Sequence, residues 1–382
     1  MEKYFGNQMK RVAILLAGGS GERFWPVSRK SRPKQLLALN SEKTLIEEAV
    51  ERITSFISPQ DIFVFTNEIT LQPIRNVLRN IPPENIVAEP YKKNTAPALA
   101  FAGSFLLAKY GKELSPDEIS VGVFTSDQRI EPLVGFQKTV ELAFGFVENN
   151  PKIATIGIVP TRPDTAFGYI EVPVNFKEAN ESILPVVQFK EKPDVETARF
   201  YVDSGRFFWN SGMFFWRLDT FLSQLEKYLP EIYNKVSSLV ELLKDKTEIP
   251  FSGSIPEIEN IYITFPDISI DYALMEKTRD IVVVKSYFDW DDIGSWDALD
   301  RTKPHDANRN VNLGNNILLD TQNSIVVNES TNGNIKVCCL GLTDLVVVVA
   351  DDAVLVCHKA QVQNVKKCVE AIKQEENSSK WL

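Results

Sequence analysis

The sequence predicts an α/β chain: a mainly parallel sheet followed by a small β-rich domain. Three observations carry this. Short apolar runs alternate with longer amphipathic segments between residues 11 and 160. Those runs are continuous rather than alternating, as strands covered on both faces require. After residue 306 the texture changes to short apolar runs separated by turn residues. At roughly 150 residues per domain, 382 residues allow two domains. We place them at 1–305 and 306–382.

Taken in order, strands are expected over 11–16, 61–65, 85–88, 119–124 and 153–158. Helices fall between them, over 44–56, 69–80, 96–109 and 132–148. In such a sheet ligands bind beyond the carboxyl ends of the strands. From 160 to 300, strand-like pieces at 168–173 and 183–190 mix with helices such as 221–228, a substrate-side continuation of the same domain. Five strands follow, over 316–320, 324–328, 336–340, 345–350 and 354–358, and then a terminal helix over 362–374.

Composition removes several function classes. Lys and Arg total 42 against 51 Asp and Glu, a net charge of −9. Such a balance disfavours bulk binding to duplex nucleic acid, which needs cations against phosphate. Apolar residues at 44% are too many for a disordered chain. No apolar run reaches the roughly 18 residues of a membrane span. The run 12–17 follows Lys10 and Arg11 but is shorter than the roughly 7–15 residues of a secretory h-region. A buried first strand in a cytoplasmic protein is expected. Cys338, Cys339, Cys357 and Cys368 form no CxxC pair, and with His305 and His358 give no zinc spacing. They read as buried, reduced thiols, and any metal is expected to be a hard cation held by carboxylates.

The segment Leu16-Ala17-Gly18-Gly19-Ser20-Gly21-Glu22-Arg23-Phe24-Trp25-Pro26 follows the first strand directly. Glycines there let backbone N–H groups approach a phosphate, or simply make a tight strand-to-helix turn. The loop lacks the Gly-Lys-Ser/Thr ending of a P-loop. Phe24 stands where a dinucleotide fingerprint has its third glycine, and Thr66 and Asn67 stand where that fold has an acidic residue. Arg23, Arg29, Arg32 and Lys34 crowd a segment made rigid by Pro26 and Pro33, which suits a polyphosphate. Asp127 follows the strand 119–124, where it suits Mg²⁺ or a helix N-cap. Asp292, between Trp290 and Trp296, suits Mg²⁺ or a turn.

Gly18 through Arg29, with Pro33-Lys34-Gln35, closely resembles the signature of the sugar-1-phosphate nucleotidyltransferases. Trp25-Pro26-Val27-Ser28-Arg29 and Pro33-Lys34-Gln35 resemble its mannose-1-phosphate guanylyltransferase branch. Glu89-Pro90 with Asn94-Thr95-Ala96-Pro97 is similar to the second nucleotide-side motif, with Lys93 where the family has Arg. Phe124-Thr125-Ser126-Asp127-Gln128 matches a third motif, with Gln128 in place of His. Phe189 through Pro193, Trp209 through Phe214 and Trp290 through Trp296 complete the set. The resemblance spans residues 11–358.

The resemblance implies a Rossmann-like nucleotidyltransferase domain and a left-handed β-helix-like C-terminal domain. It implies transfer of a guanylyl group from GTP to mannose 1-phosphate, giving GDP-mannose and pyrophosphate. Alternatives are another sugar 1-phosphate, another nucleotide, or a non-catalytic sugar-nucleotide-binding subunit. Implied catalytic residues are Arg23, Lys34, Asp127, Lys192 and Asp292. Nucleotide-binding residues are Ala17, Gly18, Gly19, Ser20, Gly21, Arg23, Lys34, Asn94, Thr95 and Ala96. Gly168, Glu191, Lys192 and Asn210 would hold the sugar. For Asn210 an Asx turn is the other reading, and for Glu191-Lys192 a solvated strand end. Asp127 and Asp292 would share Mg²⁺, with Asp291 the alternative one residue away. The isomerase domain fused to longer relatives is expected to be absent. The β-rich module is expected to serve assembly or support, stacked on the catalytic domain or a second subunit, so a homodimer stays open.

Overall fold

The computed structural model describes residues 9–174 and 181–382. The chain divides into two compact units, each discontinuous in sequence. The first holds Met1–Gly18, Glu51–Thr125 and Ile130–Trp290; the second holds Gly19–Val50, Ser126–Arg129 and Asp291–Leu382.

In the first unit ten strands form one sheet. They are β1 (Lys10–Leu16), β2 (Ile62–Thr66), β3 (Ile86–Ala88), β4 (Ile119–Thr125), β5 (Ile153–Ile158), β6 (Gly168–Glu171), β7 (Ile183–Pro185), β8 (Gln188–Glu191), β9 (Phe207–Arg217) and β10 (Ile281–Lys285). Their order is β3-β2-β1-β4-β9-β5-β10-β7, with β6 on β9 and β8 on β6. Strands β1 to β4 are mutually parallel, as are β5 and β10. The fold class is therefore the expected one. The apolar runs of β1, β2 and β4 are buried because helices cover the sheet. The helix Thr95–Tyr110 is small-residue-rich and almost wholly buried, and Phe101 and Phe105 meet Phe65 edge-on at 6.1 and 6.0 Å.

Two elements differ from expectation. The run 183–190 is two strands, β7 on β10 and β8 on β6. Pro185 ends the first, having no N–H for a ladder to continue on. Strand β9 runs antiparallel between β4 and β5. Its Asn210-Ser211-Gly212 segment forms a bulge within the strand, with the register shifting between Asn210 and Phe214 and Gly212 at φ 76°.

In the second unit, β11 (Val311–Leu313), β13 (Ile325–Asn328) and β15 (Leu345–Val349) stack in parallel, with β16 (Val354–His358) antiparallel to β15. A separate parallel pair joins β12 (Asn316–Leu319) to β14 (Val337–Leu340). Successive coils thus contribute a strand to each of two ladders, the arrangement of a β-helix. Val311, Ile325, Val346 and Val348 share one core with Phe24, Val27, Leu37, Leu39 and Trp296. The second unit therefore binds the glycine-loop segment to the C-terminal strands through common packing. The terminal helix is Val365–Ile372, preceded by a 3₁₀ turn over Lys359–Asn364. The thiols are free, but only Cys339 is buried; Cys338 and Cys368 are exposed, which corrects the expectation of buried cysteines. Their strand and helix positions face outward, where a small side chain costs little. Among the described residues no helix is long and apolar enough to cross a membrane.

Candidate functional site

Within the second unit a cavity of about 380 Å³ lies against the glycine loop. Gly19, Ser20, Gly21, Arg23, Lys34, Asp127 and Asp292 line it, joined by Glu22, Gln35, Gln128, Gly294 and Lys366. Gly21 sits at φ 61°, and a Cβ there would come within 2.5 Å of Lys34 Cβ. Only glycine meets both demands. The Ser28 hydroxyl donates to the Gly21 carbonyl at 2.8 Å and closes the loop. Lys34 opens a 3₁₀ turn after Pro33 and is 8% exposed. Its ammonium lies 2.9 Å from Asp127 Oδ2 and donates to the Asp292 backbone oxygen at 2.5 Å. Arg23 Nε is buried without a hydrogen-bond partner.

The crowd of four cations is not a single patch. Arg29 pairs with Asp352 at 2.8 Å, and Arg29 and Arg32 exchange backbone hydrogen bonds with each other. Arg23 and Lys34 are the two of the four that line the cavity. The N-cap reading of Asp127 is also corrected. A short strand, Arg129–Glu131, follows it, and the next helix begins at Leu133 behind Pro132.

Asp291 and Asp292 stand in different surroundings. Asp291 is gripped by Arg301 through Nε at 2.7 Å and Nη2 at 3.1 Å, and accepts from Ile293 N at 2.8 Å. Asp292 lines the cavity. Ile293 holds φ 45°, an outlier for a β-branched residue, and is fully buried. A Cβ on Gly294 would lie 2.7 Å from Asp292 Oδ2, so glycine makes room for that carboxylate.

In the first unit, two groups of predicted residues form. Ala17 is anchored by its N–H to the Phe65 carbonyl at 2.8 Å, and its own carbonyl accepts from Thr66 Oγ1 at 3.0 Å. Gly18 faces Glu89: a Cβ there would lie 3.6 Å from Oε1. Burial pushes the Glu89 carboxyl up to about 7, and Tyr262 donates to it at 2.5 Å. Asn94 caps the helix Thr95–Tyr110, Thr95 Oγ1 accepts from Ile270 N at 2.8 Å, and Ala96 N donates to the Ile268 carbonyl at 3.2 Å. Lys93 reaches the Ile263 and Phe265 carbonyls.

The second group gathers around Asn210 and Glu191. Asn210 Nδ2 donates to Asp271 Oδ1 at 3.1 Å, while its Oδ1 accepts from Gly212 N at 3.2 Å, an Asx turn inside the β9 bulge. Gly168 packs on Glu191, where a Cβ would fall 2.4 Å from Oε2. Glu191 Oε2 is buried with no partner, and its Oε1 meets Lys192 Nζ at 3.1 Å. Lys192 is exposed and holds φ 47°. Burial raises the Glu191 carboxyl; burial and the Glu191 charge raise Asp271 to about 7. Trp209 and Trp290 pack edge-on around Phe167 as walls.

Sequence reasoning missed Asp271 and Lys366 as site-lining groups. Neither sits in a motif with its own chemistry, and only the fold brings each to its neighbours.

A nucleotidyl transferase family model matches residues 12–309, and a MannoseP isomerase/GMP-like β-helix domain model matches 314–372. The chain belongs to the nucleotidyl transferase family. A mannose-1-phosphate guanylyltransferase of Escherichia coli (strain K12) is 37% identical over 371 residues, 96% of this chain and 74% of that protein. The alginate biosynthesis protein AlgA of Pseudomonas aeruginosa is 35% identical over 362 residues, covering 94% and 71%. A crystal structure from Thermus thermophilus, described as a mannose-1-phosphate geranyltransferase, superposes with a TM-score of 0.82 at 29% identity, over 96% of this chain and 100% of that one.

Nucleotidyl transferases of this family generally use a divalent metal. The chemistry of the cavity's donor set suits a hard cation: the carboxylates Asp127 and Asp292 both line it, and no group of three or more His, Cys, Asp or Glu that could hold a metal gathers among the described residues. Such a pair suits a cation that completes its shell with substrate phosphates and water.

Proposed function

We propose that this chain transfers a guanylyl group from GTP to mannose 1-phosphate, giving GDP-mannose and pyrophosphate. The observation that carries the reading is the Lys34 ammonium held between Asp127 and Asp292 behind the glycine loop.

The nucleophile is a sugar phosphate oxygen, already anionic at neutral pH, so no general base is needed. It attacks the α-phosphorus of GTP in line, and the bond to the pyrophosphate oxygen breaks. The difficulty is to bring two anions together and hold the leaving group, which calls for positioning and fixed charge. The backbone of Gly19–Gly21 approaches the phosphates, and Arg23 and Lys34 neutralise them. Asp127 and Asp292 would hold Mg²⁺, which when bound supplies charge at the α-phosphate and the sugar phosphate. On the sugar side, Glu191 and Asn210 orient hydroxyls, Gly168 keeps the pocket open, and Lys192 holds the sugar phosphate. Ala17, Gly18 and the Asn94-Thr95-Ala96 turn form the base side. Glu89 offers the acceptor that guanine N1–H and its amine require.

A cytoplasmic location is proposed, since charged phosphate substrates do not cross a bilayer unaided. The division at 305 and 306 is proposed as the functional boundary between catalytic and supporting modules. A homodimer is proposed through the β-rich module, where Ile317, Leu319, Leu340, Val354 and Val356 are exposed.

A panel of each nucleoside triphosphate against several hexose 1-phosphates, with Mg²⁺ and pyrophosphate release as the readout, tests the reading. GTP with mannose 1-phosphate should be the best pair. Turnover with a different pair alone would replace the substrate assignment; none with any pair would favour a binding subunit.

A further inference from the structure

The terminal helix Val365–Ile372 presses Val365 and Val369 inward and leaves a charged face. It is held in place at several points. Lys373 pairs with Glu22 at 2.7 Å, Gln363 Nε2 donates to Ser295 Oγ at 2.6 Å, and Trp25 Nε1 donates to the Trp381 carbonyl at 2.9 Å. These contacts fix the helix against the glycine-loop segment, within one unit. As a result Lys366, on the first turn, lines the cavity that holds Arg23, Lys34, Asp127 and Asp292.

The charges of that cavity are unevenly matched. Lys34 is paired with Asp127, and Glu22 with Lys373. Arg23 Nε is buried with no partner, and the Lys366 side chain makes no hydrogen bond or ion pair among the described residues. Two cations therefore face the cavity without a carboxylate of their own. A leaving pyrophosphate carries several negative charges and needs donors that carboxylates do not already occupy.

We propose that Lys366, delivered by the terminal helix, binds the pyrophosphate end of the nucleoside triphosphate together with Arg23. The inference rests on the nucleotidyltransferase reading. It gives the β-helix module a direct part in substrate binding, where the sequence suggests only support. Lysine suits the position: a point charge on a long stem serves an open rim better than a fixed fork.

The test is binding of inorganic pyrophosphate by titration calorimetry, with steady-state kinetics alongside. Lys366→Ala should weaken pyrophosphate binding about tenfold, in line with the loss of one partly screened charge contact to a multivalent anion. It should raise KM for GTP by a similar factor and leave KM for mannose 1-phosphate within about twofold. Lys366→Arg should retain most of the affinity, and Lys366→Glu should lose more than Lys366→Ala. Lys367→Ala, one residue on, should bind as the parent does. A parent that binds pyrophosphate and a Lys366→Ala variant that binds it equally would overturn this proposal and leave the enzyme reading intact. Equal weakening by Lys367→Ala would also overturn it, since general surface charge would then be the cause. A parent that neither binds pyrophosphate nor turns over would remove both readings.

Discussion

The ammonium of Lys34 stands 2.9 Å from the carboxylate of Asp127, and the same nitrogen donates to the backbone oxygen of Asp292. One cation thus ties together two chain segments more than 150 residues apart in sequence. The pairing keeps a half-buried carboxylate and a buried lysine in place before substrate arrives.

Asp127→Ala and Asp292→Ala should each lower turnover by roughly a hundredfold or more, because each removes half of the proposed two-carboxylate cation site. Groups that act as a unit are not additive, so the double variant should be little worse than either single one. Circular dichroism should show an unchanged fold. Full turnover in either single variant would take that residue out of the site.

Asp291 should behave differently from its neighbour. It is 7% exposed and answers Arg301 with both oxygens. Asp291→Asn or Arg301→Met leaves a buried carboxylate site without its charged partner on the exposed Arg301 side, at a cost of about 1–2 kcal/mol. Asp292→Asn should cost far less. Urea midpoints of the three variants decide this, and equal losses at 291 and 292 would contradict the assignment of one to structure and the other to the cavity.

Much of this architecture is legible from local signals. Strands β1, β2, β4 and β5 are continuous apolar runs, and their period leaves little else for them to be. The glycine loop, Lys34, Asp127 and Asp292 stand out because their spacing matches a known signature. What local signals do not carry is pairing. Arg29 looks equivalent to Arg23 until Asp352, more than 300 residues later, claims it. Strand β9 hides because its aromatic run is buried on both faces and broken by a bulge with turn-like residues. Asp271 and Lys366 hide because each depends on where a distant segment packs, on Asn210 for one and on the glycine loop for the other.

Gly168 offers a steric test of the sugar side. Its absent Cβ leaves room for Glu191 Oε2, which a methyl would approach to 2.4 Å. The conflict is with the far end of a flexible side chain, a buried oxygen that no hydrogen bond holds. Gly168→Ala should therefore displace the Glu191 carboxylate at a cost of about 1 kcal/mol, the low end of overpacking. It should also raise KM for the sugar 1-phosphate more than KM for the nucleotide. An unchanged sugar KM would separate Gly168 and Glu191 from sugar binding.

Asp271 gives a pH test with a defined sign. Burial, reinforced by the nearby charge of Glu191, raises its carboxyl from 3.8 to about 7. In the unfolded chain the group returns to roughly 4. Between about pH 4 and 7 the folded state therefore holds a proton that the unfolded state lacks. Stability from this group is complete below pH 4 and falls as pH rises through 7. Asp271→Asn keeps an oxygen for the Asn210 amide to donate to but cannot ionise. Its stability should decline less than the parent's between pH 5 and pH 8. Glu89, also raised to about 7, contributes the same downward slope to both proteins and cancels in the comparison. Urea unfolding of parent and variant at the two pH values measures the difference. Parallel losses would mean that Asp271 is ionised in the folded protein at pH 5, and the neutral carboxyl would have to be abandoned.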